Sequence, residues 1–135
     1  RPNWNFEMTH DSRELLARAD AAIVCSGTST LEAALLNAPQ VVVYRTTALN
    51  YQVIRRLIKV KQISLANIVA GSEVAPEMIQ NDVRPEPLAD KILNLLQDDA
   101  TRRRMLEGYA EIRNLLGSGG AAVNTANLAM RLLTI

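Results

Sequence analysis

Short apolar runs alternate with helix-like segments in the first half of the chain. Residues 21–25 (AAIVC) and 40–44 (QVVVY) are apolar almost throughout, as expected of strands that are buried on both faces. Between these runs, residues 29–37 carry apolar side chains at helical spacing. Pro39 follows, and proline cannot continue a helical hydrogen-bond ladder. The pattern predicts a strand, a helix and a second strand, and it favours a parallel sheet covered by helices.

Weaker patterns flank this unit. Residues 4–7 are interpreted as a short edge strand, and Asp11-Ser12 offers an N-cap for a helix that carries Leu15, Leu16 and Ala19 on one side. On the other side, residues 47–59 predict an amphipathic helix and residues 62–65 predict a further strand. An irregular stretch is expected after that strand, containing Asn67, Gly71 and Pro76.

The last third of the chain carries helix patterns. Pro85 and Pro87 open one helix, because proline is tolerated in a first turn, and that helix is expected to end near Leu96. Asp98-Asp99 caps the next helix, and residues 121–133 form a last helix after a glycine-rich turn. The order β-α-β-α, then mainly α, predicts an α/β fold with a Rossmann-like parallel sheet and flanking helices. The strands are too few for a complete doubly wound domain.

Composition and charge narrow the classes of function. Hydrophobic residues make up 48% of the 135 residues and charged residues 21%, an ordinary globular balance. The net charge of +1 gives no support to nucleic-acid binding, which normally needs a basic face. With Cys25 and His10 as the single cysteine and histidine, a disulfide framework and a His- or Cys-rich metal site are excluded. We expect Cys25 to be a buried packing thiol and His10 to lie at the surface.

The segment at residues 25–32 (CSGTSTLE) carries the candidate chemistry. Gly27 lets the backbone turn sharply and approach a ligand without a Cβ in the way. The first N–H groups of the helix that follows, with the helix dipole behind them, attract an anion such as phosphate. Glu32 lies about one turn into this helix, where its carboxylate can accept hydrogen bonds from a ribose diol. Further hydrogen-bonding groups are the hydroxyls of Ser26, Thr28, Ser29 and Thr30.

This motif predicts a nucleotide diphosphate at the carboxyl edge of a parallel sheet. A simple capped strand–helix turn is the alternative interpretation, because the motif is short. Arg45 directly follows the strand at 40–44, so it is either a phosphate contact at the same edge or a surface charge. Asn67 is either a site residue or the stabiliser of its own loop.

A longer, ordered set of motifs resembles the C-terminal half of the lipid-A-disaccharide synthase family. The set consists of SGTSTLEAAL at 26–35, VVVYR at 41–45 and KVKQISLANIVAG at 59–71, then Glu73, Pro76-Glu77 and Gln80. The resemblance covers nearly the whole chain and is densest between residues 22 and 80. The chain departs from the family pattern at Ala48 and Ala66, where proline is common.

The resemblance implies an inverting glycosyltransferase of GT-B architecture, in which two Rossmann-like domains face each other across a cleft. It implies transfer of 2,3-diacylglucosamine from its UDP donor to 2,3-diacylglucosamine 1-phosphate, forming a β-1,6 bond without a metal or other cofactor. By family position, Ser26, Gly27 and Thr28 would meet the diphosphate and Glu32 would meet the ribose. The remaining positions expected to line the cleft are Arg45, Asn67, Glu73 and Gln80.

By the same resemblance, residues 1–135 would be the C-terminal nucleotide-sugar-binding domain, a fragment that lacks the N-terminal acceptor domain. The catalytic base is expected in that other domain, so no catalytic residue is assigned here and the isolated chain is expected to be inactive. We also expect a homodimer, because a sheet that lacks its first strand has an open edge and an uncovered apolar face.

A membrane surface is a further expected partner, since both substrates carry acyl chains. The resemblance implies a peripheral protein on the cytoplasmic face of the inner membrane. Basic residues in and after the helix at 47–59 form either a patch for anionic lipid or a solvated helix face; they are Arg55, Arg56, Lys59 and Lys61. Two other functions remain open: another GT-B UDP-sugar transferase or a UDP-sugar epimerase, and a non-catalytic interaction or assembly domain.

Overall fold

A parallel sheet with helices around it forms the described part of the chain. The computed structural model describes residues 5–6, 8–47, 51, 62–117 and 119–133. Its strands are β1 (Ala22–Cys25), β2 (Gln40–Tyr44) and β3 (Glu77–Ile79). Its helices are α1 (Ser12–Arg18), α2 (Thr28–Leu35), α3 (Leu65–Ala70), α4 (Pro85–Gln97), α5 (Asp99–Leu116) and α6 (Ala121–Leu133), and a short 3-10 helix covers Gln80–Asp82.

The strands of this sheet run parallel in the order β1-β2-β3. Val24 lies beside Val42, and Val43 lies beside Met78, so apolar side chains are neighbours across the sheet. α2 connects β1 to β2 and contacts both strands. The predicted α/β fold, a partial Rossmann-like sheet with flanking helices, is thereby confirmed.

The main hydrophobic core collects side chains from strands and helices together. Met105, Tyr109 and Ile112 recur at helical spacing along α5, and they pack with Val41 of β2 and Met78 of β3. Tyr109 is fully buried, and this burial raises the pKa of its phenol to about 12. α5 is thus anchored to the sheet by one continuous face.

Two predictions for the middle of the chain are wrong, one of them in part. The segment at 62–65 is not a strand, because Ser64 is the N-cap of α3 and its hydroxyl oxygen accepts a hydrogen bond from the Asn67 N–H at 3.2 Å. The stretch that follows is irregular only in part: residues 65–70 form α3, residues 71–76 belong to no helix or strand, and β3 comes next. The helix predicted at 47–59 lies outside the described residues apart from 47 and 51. Of the edge strand predicted at 4–7, only residues 5 and 6 are described, and neither is in a strand.

Some apolar side chains of the described residues remain exposed. Cys25 is exposed, so the prediction of a buried packing thiol is wrong, whereas His10 lies at the surface as predicted. Ile23 on the same strand is 55% exposed, although its neighbour Val41 is fully buried. On α6 the exposed side chains include Val123, Leu128, Met130 and Leu132. Within the described ranges no helix is both long and apolar enough to span a bilayer.

Candidate nucleotide-binding site

Three of the predicted site residues directly follow the three strands. Ser26 follows β1, Arg45 follows β2 and Gln80 follows β3. Because the strands are parallel, their carboxyl ends lie along one edge of the sheet. Open α/β sheets bind their ligands at this edge. The structure therefore brings these three residues to the edge where the sequence predicts a nucleotide.

The turn between β1 and α2 depends on Gly27. Its φ of 150° and ψ of −159° belong to a region that is open essentially to glycine alone. A Cβ added there would meet no described atom within 4 Å, so the requirement is conformational and the space beside the turn is open. Ser26 anchors the turn, because its N–H donates to the Val43 carbonyl at 3.0 Å and its hydroxyl donates to the Ile63 carbonyl at 2.9 Å.

The amino end of α2 presents hydrogen-bond donors at this edge. The helix has eight residues, and Gly27 before it supplies no side-chain cap. The first N–H groups of a helix have no partner inside the helix, and here they belong to the exposed residues Thr28 and Ser29. Together with the helix dipole, such groups favour an anion.

Thr30 is fully buried and supports the turn from within the fold. Its hydroxyl donates to the Gly27 carbonyl at 2.8 Å, and its own carbonyl accepts a hydrogen bond from Gln40 Nε2 at 2.8 Å. Gln40 Nε2 also donates to the Tyr109 hydroxyl at 3.2 Å. The Thr30 hydroxyl is therefore directed to the backbone, unlike the exposed neighbours with which the sequence groups it.

Glu32 lies about one turn into α2, with its side chain 36% exposed. Its Oε1 atom is 3.5 Å from Nη2 of Arg13 on α1, and the Arg13 side chain is 75% exposed. An ion pair as exposed as this contributes at most about 1 kcal/mol. The Glu32 carboxylate can therefore exchange Arg13 for the hydroxyl groups of a ligand at little cost.

Gln80 is hydrogen-bonded to Thr46, the residue that directly follows Arg45. Gln80 Oε1 accepts a hydrogen bond from the Thr46 N–H at 2.8 Å, and Gln80 Nε2 donates to the Thr46 carbonyl at 3.1 Å. Arg45 is exposed and forms no ion pair with another described residue. Its guanidinium is thus available to an anion, on a backbone that Gln80 holds in place.

Asn67 is fully buried, and each of its hydrogen-bonding groups is used. Its Oδ1 accepts from the N–H groups of Val74 and Ala75, both at 2.9 Å. Its Nδ2 donates to the Ala75 carbonyl and to Glu77 Oε1, both at 2.8 Å. Since an amide side chain has two donors and two acceptor lone pairs, Asn67 has none left for a ligand. The structure favours the second of its two roles, stabiliser of the loop at 72–76.

Glu77 is a residue of this region that the sequence did not single out as a site residue. Its carboxylate accepts hydrogen bonds from the Ile63 N–H at 3.0 Å and the Ser64 N–H at 2.9 Å, besides the one from Asn67. The carbonyl of Ile63 in turn accepts the hydrogen bond from the Ser26 hydroxyl. Glu77 therefore connects β3 to the glycine turn through one residue. A signal for it was present, since Pro76-Glu77 belongs to the motif set.

Glu73 lies away from the strand ends. It belongs to the loop that enters β3, and therefore to the amino edge of the sheet, opposite the edge that Gln80 marks. There it lines a cleft of about 530 Å³ together with Lys91 of α4 and Arg104 of α5. The structure does not bring Glu73 together with Arg45 and Gln80.

The acidic residues of the described ranges are dispersed. No three His, Cys, Asp or Glu side chains in those ranges lie close enough together to hold a metal ion. Of the two carboxylates near the turn, Glu32 pairs with Arg13 and Glu77 accepts hydrogen bonds from N–H groups.

Comparison with known proteins identifies the family. A family model described as lipid-A-disaccharide synthetase matches residues 3–125. The chain belongs to this family. Proteins named lipid-A-disaccharide synthase from Syntrophus aciditrophicus, Myxococcus xanthus and Nitrosococcus oceani are 46%, 42% and 47% identical to it over 120, 120 and 108 residues. These matches cover 89%, 89% and 80% of this chain, and 31%, 31% and 28% of the relatives.

The chain therefore spans about a third of the length of these lipid-A-disaccharide synthases. The resemblance inferred from the motifs is confirmed as membership of the lipid-A-disaccharide synthetase family. The matched range of 3–125 contains the glycine turn, the ends of all three described strands and every predicted site residue.

Proposed function

We propose that this member of the lipid-A-disaccharide synthetase family binds the UDP part of a sugar donor at the carboxyl edge of its sheet. The proposal rests on three features that meet at that edge: a glycine turn, a helix terminus without a side-chain cap, and Arg45, which forms no ion pair within the described part of the chain. The N–H groups of Thr28 and Ser29 and the guanidinium of Arg45 are donors suited to a diphosphate. Family membership supports this choice of ligand.

Recognition of the ribose is assigned to Glu32. Its carboxylate lies one turn beyond the N–H groups that would face the phosphates, and it can accept hydrogen bonds from a diol. A carboxylate gives no such benefit to inorganic phosphate, which carries negative charge and has no ribose. Glu32 should therefore favour a nucleoside diphosphate over phosphate alone.

For the whole protein we propose the reaction that the family resemblance implies, transfer of 2,3-diacylglucosamine from UDP to 2,3-diacylglucosamine 1-phosphate. Inverting β-1,6 transfer needs a base to take the proton of the acceptor 6-hydroxyl, and both substrates must be held in line. The residues assigned here bind the leaving UDP, and we place the base in an N-terminal acceptor domain. No metal or other cofactor is part of the proposal. Disaccharide formation by the 135-residue chain alone, in a radiolabelled transfer assay, would contradict this division.

The test of UDP binding is a titration of the chain with UDP, uridine and inorganic phosphate, followed by NMR because weak binding can still be measured. We expect UDP to shift the amide signals of Thr28 and Ser29. Glu32→Ala should weaken UDP and uridine several-fold and leave the affinity for phosphate unchanged. Equal weakening of UDP and phosphate would refute the ribose assignment.

Arg13→Ala is the matched control for this test. It breaks the same ion pair as Glu32→Ala but keeps the carboxylate, so UDP affinity should stay the same or increase slightly. If both variants lose affinity alike, the effect comes from the lost ion pair and not from a contact with ribose.

Two associations belong to the same proposal. We propose a homodimer, supported by the exposed apolar side chains of α6 and by the exposed side of β1. We also propose peripheral attachment to the cytoplasmic face of the inner membrane through the basic residues at 55–61, which lie outside the described residues. Sedimentation with anionic vesicles that is indifferent to Arg55→Glu plus Arg56→Glu, or to added salt, would remove this segment from consideration.

The two alternatives make different predictions. Another UDP-sugar transferase or an epimerase would use the same sheet edge, and the family match favours the disaccharide synthase over both. A non-catalytic interaction domain would have no use for a nucleotide. Absence of UDP binding in the titration would therefore favour the interaction domain.

A further inference from the structure

The backbone of Gln80 has a conformation that is unusual for its residue type. Its φ is 53°, in the left-handed region that costs energy for residues other than glycine. The pairing of β2 with β3 ends at Tyr44 and Ile79, and the chain then enters the 3-10 helix at Gln80–Asp82. Gln80 is thus the residue at which the backbone leaves the sheet.

The side-chain amide of Gln80 supplies the next pair of hydrogen bonds after the pairing of β2 with β3 ends. It accepts a hydrogen bond from the Thr46 N–H at 2.8 Å and donates one to the Thr46 carbonyl at 3.1 Å. A neighbouring strand would satisfy the same two groups with its backbone. Thr46, which directly follows Arg45, is therefore held through both its N–H and its carbonyl.

We propose that Gln80 is a positioning residue for Arg45, and that it acts without touching the nucleotide. By fixing the peptide groups on both sides of Thr46, the first of which joins it to Arg45, Gln80 fixes the direction in which the Arg45 side chain leaves the sheet edge. A pre-oriented arginine loses less conformational freedom when it binds a phosphate group, so the contact is stronger. This inference rests on the proposed function, because it assumes that Arg45 binds the diphosphate of UDP.

The experiment is a double-mutant cycle on the 135-residue chain, with dissociation constants for UDP and uridine measured by NMR titration at low salt. Arg45→Ala should raise the UDP dissociation constant about 10- to 100-fold, the range for hydrogen bonds to charged groups, and leave uridine binding unchanged. Gln80→Ala should raise the UDP constant about 3- to 10-fold, again without an effect on uridine. The double variant should bind UDP no more weakly than Arg45→Ala alone.

Two further variants separate positioning from a structural effect. Gln80→Met keeps the length of the side chain and removes both hydrogen bonds to Thr46, so it should weaken UDP as much as Gln80→Ala does. Gln80→Gly relieves the left-handed φ but should weaken UDP as much as Gln80→Ala does. Asn37→Gly is the matched control for Gln80→Gly. Asn37 also has a left-handed φ (59°), and its Oδ1 accepts a hydrogen bond from Arg113 Nη1 at 2.6 Å, but it precedes β2 and so lies at the amino edge of the sheet. Asn37→Gly should leave UDP affinity unchanged.

Each outcome of the cycle decides a different point. Additive losses in the double variant, or loss of uridine binding by Gln80→Ala, would overturn the inference, since Gln80 would then contact the nucleotide itself. UDP binding that depends on Arg45 but not on Gln80 would overturn the inference and leave the proposed function standing. Failure of the unaltered chain to bind UDP would overturn both. If Gln80→Ala does not fold, the cycle is run with Gln80→Met, which adds no charge beside Arg45.

Discussion

Replacing Asn67 with alanine removes four hydrogen bonds from a fully buried side chain. Two of these bonds satisfy the N–H and the carbonyl of Ala75, which is itself fully buried and cannot be rehydrated while the loop at 72–76 stays closed. Each buried polar group left without a partner costs about 1–3 kcal/mol. The N–H of Val74 is only partly buried and can turn to water. We therefore expect Asn67→Ala to lower the free energy of unfolding by about 3 kcal/mol.

Urea denaturation followed by circular dichroism measures this loss. The midpoint should fall at an unchanged m value, because the same surface is exposed on unfolding. UDP affinity of the folded variant should stay within about twofold of the unaltered chain, since Asn67 has no hydrogen-bonding group left for a ligand. Asn94→Ala on the exposed face of α4 is the control, and it should change stability by at most about 0.5 kcal/mol. A normal urea midpoint combined with lost UDP binding would refute the reasoning and return Asn67 to the ligand site.

Three further predictions concern the turn, the core and the assembly. Gly27→Ala should weaken UDP binding several-fold. Gly71→Ala, also at a positive φ (69°), should lower the stability of the fold and leave UDP affinity unchanged. Equal UDP affinities of the two variants would contradict the role of the turn. Because burial raises the pKa of Tyr109 to about 12, its contribution to stability is full below pH 10 and is lost as the pH rises towards 12. The Tm of Tyr109→Phe should therefore decline less steeply between pH 10 and pH 12 than the Tm of the unaltered chain. Parallel declines of the two Tm values would argue against this contribution of Tyr109. If α6 forms the dimer, Leu128→Asp plus Leu132→Asp should give a monomer in light scattering, and an unaltered chain that is already monomeric at high concentration would count against the dimer.

The predicted strands differ from the observed ones for a physical reason. β1 and β2 can be predicted because each is an almost continuous run of apolar residues, and such a run is recognisable without knowledge of the strand with which it pairs. β3 has three residues, begins at the charged Glu77 and has Met78 as its one buried member. Its status as a strand comes from pairing with β2, which lies more than thirty positions earlier. Residues 62–65 were mistaken for a strand and residues 66–70 of α3 for an irregular stretch, because the Ser64 N-cap bond and the Glu77 carboxylate are side-chain contacts that no apolar period reports.

The same distinction separates the predicted from the unpredicted parts of the site. The turn at Ser26 and Gly27 could be predicted because a strand, a glycine and a helix start adjoin in sequence. The bond between Gln80 and Thr46 spans 34 positions, so family motifs pointed to Gln80 without indicating what it holds. Asn67 and Glu73 share the motif set with Arg45, yet one is enclosed by its own loop and the other lies at the opposite edge.

The two hydrogen bonds between Gln80 and Thr46 affect which residues can stand at position 46. Because both hydrogen bonds reach main-chain atoms, they place no demand on the side chain at position 46. Replacing Thr46 by any residue that has a backbone N–H should therefore leave both hydrogen bonds in place. Proline is the exception, since it lacks the N–H that Gln80 accepts. A contact of this kind couples the two positions through the main chain, so a search for paired substitutions would not detect it.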